Sequence, residues 1–245
     1  MRPIITFLTD FGLADSYVAE MKAAALIACP EATLIDITHQ IAAQDVLAGA
    51  ITLERALRAF PEGTIHVVVI DPGVGSDRKL LVAEINGQTV LAPDNGLITW
   101  ALRRFEKGTA RELTWRPDPP ASNTFHGRDI LAPAAGMMAA QTFDPQFLAP
   151  LDQPVLLDLA PATSLNDVRI IHIDHFGNAT SNLPGELIPA NAQIAGGPVR
   201  RSYSDVEIGQ LLALIGSSGL LEIAVRNGSA ANVLGLTVGS KLELR

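Results

Sequence analysis

The 245-residue sequence is poor in cysteine, in charge and in long apolar runs. Cys29 is the only cysteine, so no internal disulfide can form, which is typical of a reducing compartment. Charged residues make up 18% and the net charge is −8, which argues against nucleic acid or an anionic membrane as the main partner. No run approaches the roughly 18 apolar residues of a membrane span, and the N-terminus lacks a signal-peptide pattern. We therefore expect a cytoplasmic protein whose partner is a small molecule.

Apolar runs are nevertheless present, and in the first half they alternate with helix-like segments. Strand-like runs at residues 4–8, 33–37 and 64–70 are separated by two predicted helices, one from Asp15 or Ser16 to about Ala28 and one beginning at Asp45. Such alternation predicts a mostly parallel sheet with helices on its faces. Asn86-Gly87, between runs 80–85 and 88–91, predicts a hairpin. Further helices are predicted over 96–105 and 129–140.

The second half has a different character. Pro145, Pro150 and Pro154 crowd a stretch without periodicity, which we interpret as a linker. Beyond about residue 160, short β-like runs at 168–173, 220–225 and 241–244 are separated by Gly, Asn and Ser, which indicates a small, all-β, barrel-like domain. We therefore predict an α/β domain over residues 1–155 and a β-rich domain over residues 165–245.

Three apolar runs end in an aspartate, at Asp10, Asp71 and Asp174. In open α/β sheets, ligands bind beyond the carboxyl ends of the strands, where a carboxylate can accept from ligand hydroxyls or ammonium groups or hold a metal. Aspartate is also common in turns, because its side chain bonds nearby backbone N–H groups. Glycine two to four residues after each aspartate shifts the balance toward a binding site.

The glycines and terminal cations of VVVIDPGVGSDRK, residues 67–79, suggest a phosphate loop. A P-loop requires lysine directly after its second glycine, but Ser76 follows Gly75. A dinucleotide fingerprint requires a third glycine where Arg78 stands. What remains is a turn that can bring the Asp71 carboxylate and the Arg78 guanidinium together, with a plain turn bearing solvated cations as the alternative.

Among the five histidines, His126 is the strongest candidate for chemistry. It lies in a loop just before a predicted helix, next to a glycine that permits close approach. His66 lies within a strand and is predicted to pack, while His39 suits a turn or cap. The two histidines that flank Asp174 suggest a metal cluster, but on a strand they would face opposite ways.

Seven segments together resemble the S-adenosylmethionine hydroxide adenosyltransferases, which are hydrolytic relatives of fluorinase and chlorinase. In order, they are TDFGLAD (9–15), IDITH (35–39), VVVIDPGVGSDRK (67–79), LAPDNG (91–96), TFHGRD (124–129), IDHFGN (173–178) and SSGLLEIAVRNGSAA (217–231). The resemblance implies an α/β domain, a smaller β-rich domain, and a homotrimer with active sites between subunits. It also implies hydrolysis of S-adenosylmethionine to adenosine and L-methionine without a cofactor or metal.

The resemblance also assigns residues one by one. The catalytic triad of the family maps onto Asp71, Arg78 and His126, and the ribose-binding aspartate onto Asp10. In the halogenases a tyrosine stands where this chain has Asp71, so the triad implies water rather than halide as the nucleophile. The other implied substrate contacts are Asp174 and Ser218 at the methionine ammonium, Phe176 and Asn178 beside the adenine, and Arg226, whose backbone contacts the adenine.

Two positions depart from the halogenases. Gln44 stands in place of a tryptophan that stacks near the ribose, and Tyr17 stands in place of a serine.

Besides transfer of a halide by an adenosyl transferase of the same family, two other functions remain open. One is a metal-dependent nucleoside hydrolase with Asp10, Asp15 and Asp174 as calcium ligands. The other is a binding module that recognises a nucleoside or S-adenosylmethionine without chemistry.

Overall fold

The computed structural model describes residues 2–242, which form two compact units that divide between Asp158 and Leu159. The first unit contains a seven-stranded sheet in the order β2-β1-β3-β5-β4-β6-β7. Strands β2, β1, β3 and β5 run parallel, and β4, β6 and β7 add antiparallel pairs. The strands are β1 (Ile4–Thr9), β2 (Thr33–Thr38), β3 (Ile65–Val69), β4 (Leu80–Ile85), β5 (Gln88–Pro93), β6 (Gly108–Leu113) and β7 (Leu148–Pro150). The predicted α/β fold with a mostly parallel sheet is confirmed.

Within residues 2–158, four α-helices accompany this sheet: α1 (Tyr17–Ala28), α2 (Val46–Ala59), α3 (Thr99–Arg104) and α4 (Ala132–Ala139). Helix α2 begins where predicted, because the Asp45 carboxylate accepts from the Ala48 N–H at 2.9 Å. Helix α3 is shorter than predicted. The predicted cap at Asp129 is wrong, because a π-helical turn over Gly127–Leu131 precedes α4 and already contains Asp129.

Both faces of the central strands β1, β3, β5 and β4 are buried, as a sheet between two helix layers requires. On β1, Phe7 belongs to one apolar cluster with Met21 of α1, whereas the adjacent Leu8 belongs to the other with Leu53 of α2. Successive side chains of a strand point to opposite faces, so this single pair of neighbours anchors both layers. Because β2, β1, β3 and β5 are parallel, their carboxyl ends lie along one edge of the sheet.

The predicted hairpin is confirmed: β4 and β5 pair across Asn86-Gly87, whose φ values of 53° and 69° are those of a tight hairpin turn. The linker interpretation is wrong for residues 148–150, because β7 pairs with β6 at the edge of the sheet. A three-residue edge strand is too short to give a period, and its terminal proline is tolerated only at an edge.

The second unit is mainly β, as predicted, but it also contains a helix and is therefore not all-β, and its barrel-like arrangement stays a prediction. Over residues 159–242 it holds a four-stranded antiparallel sheet in the order β12-β13-β9-β8, a two-stranded ribbon β10-β11, and one short α-helix. The elements are β8 (Ile170–Ile173), β9 (Ala179–Pro184), β10 (Gln193–Ile194), β11 (Gly197–Pro198), β12 (Leu211–Ile215), β13 (Leu220–Val225) and α5 (Ala230–Leu234). Of the run predicted at 241–244, Lys241 makes a single bridge to Arg169, and residues 243–245 lie outside the described residues.

Within residues 2–242, no helix is both long enough and apolar enough to cross a membrane.

Candidate active site

The loop after β3 brings Asp71 and Arg78 together, and the loop before α4 adds His126. Arg78 Nε donates to both Asp71 carboxylate oxygens, at 2.8 and 2.9 Å, and Arg78 Nη2 donates to Asp71 Oδ2. The same Nη2 lies 2.9 Å from His126 Nδ1. The Asp71 and Arg78 side chains are only 5% and 10% exposed, so this pair is shielded from water. We refer to these three residues as the Asp71 cluster.

The path of the loop depends on Gly75. Its φ is +81°, and a Cβ at this position would lie 2.6 Å from the carbonyl oxygen of Asn123, three residues before His126. The two loops therefore approach each other as closely as glycine allows. On the other side, Asn95 Nδ2 donates to the Ile70 carbonyl at 2.8 Å, which fixes the backbone just before Asp71. Asn95 belongs to the LAPDNG segment but was not predicted as a site residue.

The hydrogen bond from Arg78 fixes the protonation state of His126. A guanidinium can only donate, so His126 Nδ1 is the acceptor and the neutral ring carries its proton on Nε2. Burial lowers the pKa of His126, and the nearby charge of Arg78 lowers it further. The Asp129 carboxylate accepts from the Ser122 N–H at 2.8 Å, which joins the two ends of the segment that contains His126. His126 is therefore neutral at neutral pH and faces Arg78 as an acceptor.

Asp10 follows β1 at the same edge of the sheet. Its Oδ2 accepts from the Gln44 backbone N–H at 2.7 Å, and Gln44 holds this position with φ at 68°, in the left-handed region. Gln44 is one of the two positions that differ from the halogenases. Its backbone N–H therefore contacts Asp10, the residue predicted to bind the ribose. The other departure, Tyr17, lies in a trio of edge-to-face rings with Phe11 and Phe125 at centroid distances of 5.5 to 5.9 Å.

In the second unit, Asp174, Phe176 and Asn178 line one pocket of about 520 Å³. Asp174 Oδ1 accepts from the backbone N–H groups of Phe176 and Asn178, each at 2.9 Å, and Oδ2 accepts from Asn178 Nδ2 at 3.0 Å. The carboxylate therefore builds its own turn, as aspartates often do. The Phe176 ring is 73% exposed at the pocket rim. We refer to this cavity as the Asp174 pocket.

Sequence reasoning missed Tyr203 and Asn227, which also line the Asp174 pocket. The Tyr203 hydroxyl donates to Glu222 Oε1 at 2.6 Å, and burial followed by this contact raises the pKa of the phenol. An aromatic residue in a polar stretch, RSYSD, was the only available signal. Asn227 stands in the quoted RNGS segment, with φ at 56°.

Ser218 and Arg226 do not line the Asp174 pocket. Ser218 precedes β13 and Arg226 follows it, so about 20 Å of extended strand separates them. The Arg226 backbone is already engaged: its N–H donates to the Gln210 carbonyl at 3.0 Å and its carbonyl accepts from the Gly209 N–H at 2.8 Å. An adenine contact would therefore use the second lone pair of that carbonyl. The contacts predicted for Ser218 and Arg226 remain predictions.

Across residues 2–242, no group of three or more histidine, cysteine or carboxylate side chains is arranged to hold a metal ion.

Comparison with protein families accounts for nearly the whole chain. The model of the SAM hydroxide adenosyltransferase N-terminal domain, where SAM is S-adenosylmethionine, matches residues 5–148, and that of the C-terminal domain matches residues 168–243. The chain belongs to the SAM hydroxide adenosyltransferase family. The resemblance stated from the seven segments is thereby confirmed.

Individual members of this family and its relatives differ in how similar they are to the chain. An (R)-S-adenosyl-L-methionine hydrolase from Thermus thermophilus is 38% identical, with both sequences covered over 100% of their length. A fluorinase from Nocardia brasiliensis is 26% identical, over 100% of this chain and 97% of its own. A crystal structure of an uncharacterized conserved protein from Thermotoga maritima superposes with a TM-score of 0.88 at 33% identity, over 98% of this chain and 99% of that one.

Proposed function

We propose that this protein hydrolyses S-adenosyl-L-methionine to adenosine and L-methionine, by in-line attack of an activated water on ribose C5′. The observation that carries the proposal is the Asp71 cluster, in which one shielded guanidinium binds both a carboxylate and a neutral imidazole. We infer the substrate from the Thermus thermophilus relative, whose name is (R)-S-adenosyl-L-methionine hydrolase. That relative is more similar to this chain than the fluorinase is.

The reaction balances without a redox partner. The water oxygen bonds to C5′ while the C5′–S bond breaks, and the electron pair of that bond stays on sulfur. The sulfonium thereby becomes the neutral thioether of methionine, and the water gives up one proton. Because the leaving group is already good, catalysis needs mainly a nucleophile held in line with the C5′–S bond.

Asp71 is the proposed proton acceptor. The only unprotonated nitrogen of neutral His126 is occupied by Arg78, whereas a carboxylate keeps lone pairs beyond those that Arg78 uses. Arg78 and the His126 Nε2–H act as donors that stabilise developing hydroxide character. Burial strengthens these contacts, because the local dielectric constant is lower than that of water.

The remaining roles follow the family. Asp10 binds the ribose hydroxyls, and its Oδ2 already accepts from the Gln44 N–H, so Oδ1 is the freer oxygen. The adenine and methionine contacts are assigned to Asp174, Phe176, Asn178, Ser218 and Arg226. We also propose that the enzyme is a cytoplasmic homotrimer with active sites between subunits, and that it uses no cofactor or metal.

The test is incubation of the full chain with each sulfonium epimer of S-adenosyl-L-methionine in isotopically labelled water, followed by mass spectrometry. We expect label on the adenosine 5′-oxygen and unlabelled methionine. An Asp71→Asn variant should lose most of its turnover while still binding substrate in calorimetry, because the amide cannot take up the proton. A parallel incubation with chelator is expected to leave turnover unchanged.

Each competing function gives a different product. Free adenine or ribose that disappears with chelator would indicate a metal-dependent nucleoside hydrolase. A 5′-halo-5′-deoxyadenosine formed in halide buffer would indicate halide transfer. Binding of either epimer without product after long incubation would indicate a binding module. Full activity in the Asp71→Asn variant would contradict the assigned proton acceptor.

A further inference from the structure

A buried histidine with no part in the proposed chemistry lies beside Asp10. His39 follows β2 and is 3% exposed. Its Nδ1 is 2.8 Å from the Thr9 hydroxyl, and its Nε2 is 3.0 Å from Asp36 Oδ1. Thr9, the last residue of β1, is fully buried and directly precedes Asp10. We call Asp36, His39 and Thr9 the His39 relay.

The donors and acceptors of the relay run in one direction. The Asp36 carboxylate can only accept, so the ring proton belongs on His39 Nε2, which lies 3.0 Å from Asp36 Oδ1 without the alignment of a hydrogen bond, and Nδ1 accepts from the Thr9 hydroxyl. Burial raises the pKa of Asp36, but the hydrogen bond from Lys22, at 2.6 Å, and the nearby His39 ring outweigh it, so the pKa lies below its usual value. The carboxylate therefore stays charged and keeps the ring oriented.

The relay ends on the turn that carries Asp10. Thr9 Oγ1 accepts from the Phe11 N–H at 3.2 Å, and the His39 carbonyl accepts from the Gly12 N–H at 2.7 Å. Gly12 has φ at +69°, so the chain bends sharply at this point. Both backbone N–H groups that follow Asp10 are thus held by Thr9 and His39.

We propose that the His39 relay positions the Asp10 carboxylate and thereby sets the affinity of the site for ribose hydroxyls. His39 and Thr9 are positioning residues here, since they act through Asp10. The inference rests on the proposed function, because that function assigns Asp10 to the ribose.

The same strand provides a matched control. Thr6, three residues before Thr9, is also fully buried, and its hydroxyl is 2.6 Å from Nδ1 of His66. His66 Nε2 lies 2.8 Å from Gln88 Oε1, so Thr6, His66 and Gln88 form a second buried relay. This second relay crosses β1, β3 and the first residue of β5, away from the carboxyl ends of these strands. A variant there removes the same kind of hydrogen bond without touching the Asp10 turn.

The experiment compares two ligands by calorimetry on the full chain: adenosine, and 2′,3′-dideoxyadenosine, which lacks the hydroxyls. In Thr9→Val, the Phe11 N–H loses its acceptor and His39 loses its donor, so we expect adenosine to bind about tenfold more weakly. The affinity for dideoxyadenosine should change less than about twofold, because that ligand does not use Asp10. Thr9→Ser keeps the hydroxyl and should restore adenosine binding. His39→Gln is a second disruption, and Thr6→Val should leave both affinities unchanged.

Four outcomes decide the inference. Selective loss of adenosine affinity in Thr9→Val or His39→Gln, restored in Thr9→Ser, supports it. Equal loss for both ligands overturns it, because the relay would then be only structural. Unchanged adenosine affinity in both disrupted variants also overturns it. Equal affinity of the unaltered protein for both ligands overturns it together with the ribose role of Asp10, whereas hydrolysis itself is reported separately by the labelled-water assay.

Discussion

The Asp71 cluster and the Asp174 pocket both begin with an aspartate at a strand end, but they use that aspartate differently. In the first unit, both Asp71 oxygens accept from the side chain of Arg78, seven residues away, and the contact continues to His126. In the second unit, the Asp174 oxygens accept from backbone N–H groups of their own turn and from the Asn178 side chain. Asp71 is held by a charged side chain that can take part in a reaction, whereas Asp174 stabilises the turn that lines the Asp174 pocket.

We expect changes in the Asp71 cluster to alter mainly the catalytic rate, and changes in the Asp174 pocket to alter mainly substrate affinity. Side chains that fix one another in a shielded cluster are preorganised for a charge that develops during reaction, and changes there lower kcat. An exposed ring and a turn contribute mainly to binding in the ground state, and changes there raise KM.

The largest effect is expected for Arg78→Lys. Lysine keeps the positive charge but cannot bind Asp71 through two nitrogens and reach His126 Nδ1 at the same time. We expect kcat to fall at least about 100-fold while KM changes less than about threefold. Steady-state kinetics with S-adenosyl-L-methionine measure both constants. A rise in KM at unchanged kcat would mean that Arg78 binds substrate rather than supporting the reaction.

A large loss of stability is expected for Gly75→Ala, with Gly63→Ala as its control. Both glycines have φ near +80°, but a Cβ at Gly63 meets nothing within 4 Å, whereas one at Gly75 lies 2.6 Å from the Asn123 carbonyl. Gly63→Ala should cost about 1 kcal/mol of unfolding free energy and Gly75→Ala about 2–4 kcal/mol. Urea denaturation measures both. Equal losses would show that the loops before His126 and after Asp71 do not press on each other.

Tyr203→Ala should affect the Asp174 pocket and leave the Asp71 cluster alone. Removing the ring opens the pocket beside Phe176, so we expect KM to rise about tenfold with kcat changed less than about threefold. Tyr203→Phe is the control: it keeps the ring and loses only the hydroxyl that donates to Glu222. If the Phe variant lost as much affinity as the Ala variant, the hydroxyl rather than the ring would matter.

The pKa of His126 should be lowered first by burial and then by the charge of Arg78. Because its pKa in the folded protein is lowered, the unfolded chain binds the proton more readily below about pH 6.5. Stability therefore falls as pH drops below that value, until the folded-state pKa is also reached. NMR titration of the ring should give a pKa below 6.5, and Arg78→Gln should raise it. An unshifted pKa in the unaltered protein would contradict the acceptor role of Nδ1.

Much of the first unit was predictable from local rules. The Asp45 cap, the Asn86-Gly87 hairpin and the pairing of Asp71 with Arg78 each depend on residues within a few positions of one another, so the sequence carries the information. Strand β9 shows where this fails. Its residues ATSNLP are all buried yet half of them are polar, because partners far along the chain satisfy them: the Ser181 hydroxyl donates to the Leu221 carbonyl at 3.0 Å. No periodic apolar pattern marks such a strand.

The candidate site divides in the same way. Asp71, Arg78 and His126 stand in dense, distinctive motifs, whereas Tyr203 reaches the Asp174 pocket from a short turn 29 residues after Asp174. The contact between Thr9 and His39 could not be predicted from the sequence either. Their contact depends on the parallel register of β1 and β2, in which Leu8 lies opposite Thr38. Alternation of strands and helices predicts that two strands are parallel, but not which residues their ends bring together.

The smallest effect is expected at Gln44, where the backbone rather than the side chain contacts Asp10. Glycine keeps the N–H and adopts the left-handed φ without strain, which stabilises the folded state, but it also adds entropy to the unfolded chain. Because these two effects oppose each other, Gln44→Gly should change the free energy of unfolding by less than about 1 kcal/mol. KM should stay within about twofold of the unaltered protein. Gln44→Pro, in contrast, removes the N–H and forbids a positive φ, so KM should rise about tenfold. Steady-state kinetics distinguish the two, and an equal rise in both variants would instead assign a ligand contact to the glutamine side chain.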